Sequence, residues 1–326
     1  MNEHTKIVAI GGGTGLSILL RGLKLVTEEI TAIVNVVDDG GGSGVLREDL
    51  AMLPPGDIRN CILGLASKEP VLQELFAYRF DEGRYKNQSF GNLMIAAMLG
   101  ISENFEDAIS KISDIFAVQG QVLPATNEDV HLVAELEDGT VVRGESKIPY
   151  QVLKKKSPIK KVFLKPLQVK ALDRSLEAIA EAKVVFIGPG SLYTSLIPNL
   201  LVDGISHAIM KSPAKKVYVS NLMTQPGETD DYNIADHVQA IYEHADIKFD
   251  YVVANSQDVS KEVRDRYQKE SSKLLTLTRK DRNFFKENGI KILEADFIEV
   301  KQGYVRHDIR KLVKYIEHYI EKGSLE

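Results

Sequence analysis

The sequence predicts an α/β fold built on a doubly wound, mainly parallel sheet, and three observations carry that prediction. Short runs rich in Val and Ile recur along the 326 residues, and amphipathic helical stretches separate them. These runs are continuous rather than alternating, which is what a parallel sheet needs when helices cover both of its faces. Several end in glycine-rich turns that open a helix, the arrangement found at the ligand edge of such sheets.

Taken in order, a first strand at Lys6 to Ile10 passes through Gly11 to Gly15 into a helix at Leu16 to Leu25. A second strand at Ile30 to Val37 ends on Asp38 and Asp39, followed by a glycine-rich loop and a helix near Val45 to Leu50. Pro54, Pro55 and Gly56 then make a rigid turn, and Asp57 has the chemistry of an N-cap for a helix beginning at Ile58. Two apolar helices follow at Asn92 to Leu99 and Phe105 to Phe116. Residues Gln121 to Pro166 break the rhythm with alternating stretches and a hairpin turn at Asp138-Gly139, which predicts an antiparallel β insertion. The lysines at 154 to 156 and 160 to 161 within it read as a solvated loop.

The α/β alternation then resumes with a helix at Leu176 to Ala182 and strands at Lys183 to Ile187, Lys216 to Val219 and Phe249 to Ala254. A helix at Ile234 to His244 lies between the last two of these. Ile309, Leu312, Val313, Ile316 and Ile320 recur at helical spacing and predict a closing helix packed on the body. With no repeat or low-complexity linker, residues 1–326 read as one α/β domain, Rossmann-like in its strand–turn–helix units, with residues 121–166 inserted in it.

Bulk properties narrow the function. A chain of this length buries a large core unaided. Its 44% hydrophobic and 27% charged residues are ordinary globular values. The net charge of -5 argues against nucleic acid as the main partner, while backbone amides can still bind small anions. Cys61 is the single cysteine, so neither an intrachain disulfide nor a cysteine-built metal site can form, as suits the cytoplasm. The opening MNEHTKIVAIGGG reads as a first strand rather than a signal peptide, and no apolar run is long enough for membrane insertion.

The motifs point to a phosphate-bearing ligand. Gly11, Gly12, Gly13, Thr14 and Gly15 join a buried strand to a helix, so the backbone can approach a phosphate and the first amides of the helix can face it. The turn is an imperfect dinucleotide fingerprint, because Leu16 or Ile18 stands where the third glycine belongs. Asp38 and Asp39 close the second strand, where an acid bonds a ribose hydroxyl or holds a divalent metal, and Ser43 sits in the amide-rich loop beyond them. Ser89, Gly91 and Asn92 open another helix. Gly188, Gly190 and Ser191 repeat the strand–turn–helix pattern, with Tyr193 or Thr194 in reach of a ligand. Asn221, Thr224, Gln225, Gly227 and Thr229 follow a strand at the same edge, and Asp236 and His237 sit on the next helix. Two glycine turns in one sheet suggest opposite sides of a crevice at a topological switch point. No nucleophile elbow or zinc-helix spacing is present.

In order, GGGTGLS, DDGGGSG, PPGDIRN, GNL, IGPGSLYTS, NLMTQPGET and VRHD resemble the YvcK-type gluconeogenesis factors of the CofD-like superfamily over nearly the whole chain. One departure is the third glycine before Ser43, where DDGGSSG is the expected form. The resemblance implies a cytoplasmic UDP-sugar-binding regulator, required for cell shape and cell-wall homeostasis during gluconeogenic growth, with no established turnover. Its implied ligand is UDP-N-acetylglucosamine or UDP-glucose and its implied partner a cell-envelope regulatory protein, and a divalent metal such as magnesium is compatible with the acidic pair. A homo-oligomer is compatible with this reading. The late UDP-sugar contacts of the family map to Tyr267 in VRDRYQKES and Arg306 in YVRHD. Two rivals stand beside it: a CofD-like transferase with a metal on Asp38, Asp39 or Asp57, and an NAD(P)-binding oxidoreductase.

Overall fold

The computed structural model describes residues 4–67, 70–301 and 303–322. Seven strands form the main sheet, all parallel: β1 Ile7–Gly11, β2 Ile30–Val34, β3 Gln121–Pro124, β7 Val184–Ile187, β8 Lys215–Val219, β9 Tyr251–Asn255 and β10 Lys291–Ala295. An inserted antiparallel sheet contains β4 His131–Leu136, β5 Val141–Arg143 and β6 Ile159–Lys165. A late hairpin pairs β11 Ile298–Lys301 with β12 Tyr304–His307.

Fourteen α-helices accompany the strands among the described residues. Before β3 lie α1 Gly13–Leu23, α2 Gly41–Leu50, α3 Gly56–Leu65, α4 Pro70–Ala77, α5 Phe90–Leu99 and α6 Phe105–Ile115. Between β5 and β8 lie α7 Ile148–Lys155, α8 Asp173–Glu181, α9 Ile197–Leu200 and α10 Ile205–Lys211. The remainder are α11 Ile234–His244, α12 Lys261–Lys269, α13 Arg279–Glu287 and α14 Ile309–Lys322.

The main-sheet order is β10-β9-β8-β7-β1-β2-β3. The chain winds outward from β1 to β3, returns to the centre at β7 and winds the other way. β1 and β7 are therefore neighbours at the switch point, where an open sheet leaves a crevice beyond its carboxyl ends. Every residue of β1, β2, β7 and β9 is buried, as their continuous apolar sequences require. Burial of each Val or Ile there contributes roughly 1.5–3 kcal/mol. Leu16, Leu19, Leu20 and Leu23 of α1 reach the core, and α14 covers the outer side of α1 with Leu312, Val313 and Ile316. Among the described residues no helix is long and apolar enough to cross a membrane.

One boundary differs from expectation. Gln121–Pro124 joins the parallel sheet beside β2, so the antiparallel sheet begins only at His131. Within it, the turn at Gly139 has φ +83° and the Asp138 carboxylate accepts the Thr140 amide, as the hairpin chemistry predicts.

Candidate functional site

The two glycine turns meet at the switch point. A Cβ on Gly15 would lie 2.5 Å from the Pro189 carbonyl oxygen and 3.2 Å from the Gly190 nitrogen. A Cβ on Gly12 would fall 2.3 Å from Asn35 Nδ2 and 2.4 Å from Asp57 Oδ2. Both positions need glycine because other atoms occupy the space. Gly13, at φ +64°, needs it for its backbone conformation. Gly11 itself ends β1 and gives its carbonyl to Asn199 Nδ2 at 2.9 Å. Thr14 is exposed at the amino end of α1, where the free amides favour an anion.

Side chains hold the second turn in shape. Gly188 adopts φ +86°, the Gly190 amide donates to Asn221 Oδ1 at 3.1 Å, and Asn221 Nδ2 donates to the Gly190 carbonyl at 2.9 Å. Ser191 Oγ donates to Gln225 Oε1 at 2.7 Å, and Gln225 Nε2 donates to Glu228 Oε1 at 2.6 Å. Glu228 is buried, which pushes its carboxyl up to about 7 even though the Thr194 hydroxyl and the Tyr193 amide donate to it. Tyr193 and Thr194 thus turn inward rather than toward the crevice, and the Tyr193 phenol bonds Tyr232 at 2.7 Å. The aromatic residue read from sequence as a ligand contact is a packing residue. His237 is likewise buried, with Nδ1 2.8 Å from the Asn233 carbonyl.

An acidic wall faces the first turn. A Cβ on Gly56 would sit 2.5 Å from Ser43 Oγ and 2.7 Å from Asp38 Oδ2, so Asp38, Ser43 and the start of α3 converge. Asp57 does not cap α3: the helix already starts at Gly56, and the carboxylate accepts from Asn35 Nδ2 at 3.2 Å and from the Gly13 amide. Burial, then the neighbouring Asp38 charge, raises its pKa to about 6. Glu145 is raised to about 8 by burial and then by the charges of Asp38, Glu228, Asp39 and Asp57. Asp39 supports this wall from behind, accepting the Ser146 amide at 2.9 Å. Asn92 donates to Ser43 Oγ at 3.3 Å and accepts from Arg59 Nη1 at 3.1 Å. No local pattern in the sequence marks Asn35, Glu145 or Glu228. Among the described residues no group of three His, Cys, Asp or Glu forms a ready metal cage.

The third wall comes from the carboxy-terminal part. Tyr267 and Arg306 join Thr14, Gly15, Gly190, Ser191, Asn221 and Thr224 around one cavity of 380 Å³. The Tyr267 hydroxyl accepts the Val305 amide at 2.9 Å. Arg306 has no ion-pair partner among the described residues, and its guanidinium lies 5.6 Å from the Tyr304 ring. Asp308, the neighbour that could have paired it, is 3.4 Å from Lys311 instead. His307 is pushed down to about 4 by burial, with Nε2 3.1 Å from the Ser220 carbonyl. The structure therefore groups the predicted residues in two sets. Thr14, Gly15, Gly190, Ser191, Asn221, Thr224, Tyr267 and Arg306 line the cavity, whereas Gly11, Gly12, Gly13, Gly188 and Tyr193 lie outside its lining with Asp38, Asp39, Ser43 and Asn92, the last four in or behind the acidic wall.

Comparison with known proteins places these features in context. The model of the family described as 2-phospho-L-lactate transferase CofD matches residues 7–298. The chain is 54% identical over 321 residues to a protein of Clostridium acetobutylicum provisionally named a gluconeogenesis factor, spanning 98% of this chain and 70% of that one. It is 45% identical over 318 residues to the gluconeogenesis factor of Bacillus subtilis, spanning 97% and 98% of the two chains. A crystal structure of a UPF0052 family protein from Bacillus halodurans matches with a TM-score of 0.90 at 44% identity, over 96% of this chain and 99% of the other.

Proposed function

The chain belongs to the CofD family and, within it, to the gluconeogenesis factors, and from that premise we propose that it is a cytoplasmic regulator that binds a UDP-sugar between its two glycine turns. UDP-N-acetylglucosamine or UDP-glucose is the ligand, and the bound form reports nucleotide-sugar supply to a partner that controls cell shape and cell-wall growth on gluconeogenic carbon sources. One observation carries the ligand class: touching glycine turns, Tyr267 and Arg306, unpaired among the described residues, surround one cavity. Helix amides and a guanidinium suit a pyrophosphate, an aromatic ring suits a base, and the acidic wall suits sugar hydroxyls. Magnesium fits as the accompanying cation, since it binds through one or two carboxylates plus ligand phosphates, here Asp38 and Asp57. Regulation requires that the ligand bind one conformation more tightly than another.

A second reading has its own support. A raised carboxyl at Asp57 beside Asp38 is the environment of an acid–base group, which a transferase of this family would use. Calorimetry with UDP-N-acetylglucosamine, UDP-glucose, GDP and NAD, with and without magnesium, ranks the ligands. The expected order places a UDP-sugar first, and the UDP-sugar is recovered intact by chromatography after long incubation. Tighter binding of NAD or GDP, or steady release of UDP, overturns the regulatory reading.

A further inference from the structure

A second cavity, of 700 Å³, lies behind the acidic wall between α2 and the inserted sheet. Arg47 of α2, Arg143 of β5, Lys147 of the following turn and Lys165 of β6 reach it from four separate elements. Three carboxylates also face it, those of Asp39, Glu48 and Asp129. Two of the three are already engaged. Asp129 accepts from Nε of Arg47 at 3.1 Å and from its Nη2, with His131 Nε2 3.7 Å away, and Asp39 accepts the Ser146 amide. Arg143 and Lys147 have no ion-pair partner among the described residues, and the Lys165 ammonium lies 5.7 Å from the Phe163 ring.

Arg47 supplies the independent sign of a ligand. It is only 6% exposed, its Nη2 also donates to the Val130 carbonyl, and its Nη1 is buried with no hydrogen-bond partner. Buried donors left unpaired are rare in native proteins, and a guanidinium is the group that grips an anion in a fork. The cavity lies within the size range of small-metabolite sites. We propose that it is a second ligand site, for a small multiply charged anion bearing phosphate or carboxylate groups, separate from the glycine-turn cleft. Nη1 of Arg47 and the guanidinium of Arg143 donate to the anion, and Lys147 and Lys165 neutralise it.

The test uses pyrophosphate and citrate as probes of the two anion chemistries, titrated by calorimetry into the full chain. Arg143 and Lys147 are exposed, so the double variant Arg143→Ala/Lys147→Ala should fold, which a urea transition checks. It should bind at least one probe more than tenfold more weakly than wild type while keeping wild-type affinity for a UDP-sugar. Loss confined to pyrophosphate identifies a phosphate site, and loss confined to citrate a polycarboxylate site. Arg47→Lys, which keeps a buried cation but not the free Nη1 donor, should show the same loss. Undiminished binding of both probes by the double variant, or no binding of either by wild type, overturns the proposal. Because pyrophosphate also suits the glycine-turn cleft, its titrations are made in an Arg306→Ala background, while citrate, which carries no pyrophosphate, reports apart from the UDP-sugar titration.

Discussion

At Gly15 the two turns leave no room for a side chain, because the nearest atoms to a Cβ there are backbone atoms of Pro189 and Gly190. Gly15→Ala must push the turns apart, at the ~1–3 kcal/mol typical of overpacking. Gly13→Ala meets no atom within 4 Å and suffers only from its φ of +64°, roughly 1–2 kcal/mol. Similar losses in thermal stability should therefore accompany different binding: Gly15→Ala should weaken UDP-sugar by more than tenfold and Gly13→Ala by less, read by calorimetry. Equal affinities would mean that contact between the turns does not shape the site. Arg306 is exposed and without an ion pair among the described residues, so its removal leaves no buried charge behind. Arg306→Ala should cost ligand affinity about 2 kcal/mol, more than tenfold, and Arg306→Lys nearly as much, since lysine has no planar fork. Melting temperatures of both should stay near wild type, and wild-type binding by both would remove Arg306 from the site.

The late hairpin and α12 hold the third wall from a small cluster of their own, Leu222, Val259, Ile298 and Val305 with Tyr267 against it, outside the main core. Units with few buried contacts open at lower free energy than the central sheet. Amides of residues 261–269 and 304–307 should exchange hydrogen faster than those of β1 and β7, and UDP-sugar should slow them. Tyr267→Phe deletes the hydroxyl that accepts the Val305 amide and should quicken exchange at Val305; unaltered rates in ligand-free and ligand-bound protein would show the hairpin to be rigid. Element by element, legibility in the sequence followed local physics. β1, β2, β7, β8 and β9 announce themselves by continuous apolar runs, and α11 runs over the predicted Ile234–His244 because a capping box at Asn233 and Asp236 starts it. β3 has only four residues, ends in Pro124 and borders the insertion, while β10 is half polar at the sheet edge, so neither carries that signal. Asp57 looked like a cap because Pro-Pro-Gly-Asp is a helix start, and only the approach of the Gly12 turn in three dimensions gives its carboxylate another partner. Glu145 and Glu228 reach the site from the insertion and a distant loop, where no spacing rule applies.

Across the whole molecule, burial raises three carboxyl groups from different parts of the chain, and this gives stability a pH dependence of defined sign. Asp57, Glu228 and Glu145 have folded pKa values raised to about 6, 7 and 8 from 3.8, 4.5 and 4.5. An acid raised in the folded state binds its proton more tightly there than in the unfolded chain, so stability falls as pH rises from the unfolded toward the folded value. Below about 6.5 the buried histidines oppose this trend. His307 is held down to about 4, so the unfolded chain binds the extra proton and stability rises with pH. Above 6.5 the histidines are neutral in both states, leaving Glu228 and Glu145 to act. Between pH 6.5 and 8.5 Glu145 alone should remove up to about 2 kcal/mol as it ionises among Asp38, Glu228, Asp39 and Asp57. Urea transitions of the ligand-free protein should accordingly shift to lower denaturant over that interval. Glu145→Gln, which keeps the shape and cannot ionise, should flatten the profile, and its margin of stability over wild type should widen by up to about 2 kcal/mol between pH 6.5 and 8.5. Equal slopes for wild type and variant would mean that Glu145 is solvated enough to titrate as an ordinary carboxyl, and that the acidic wall exerts no collective field.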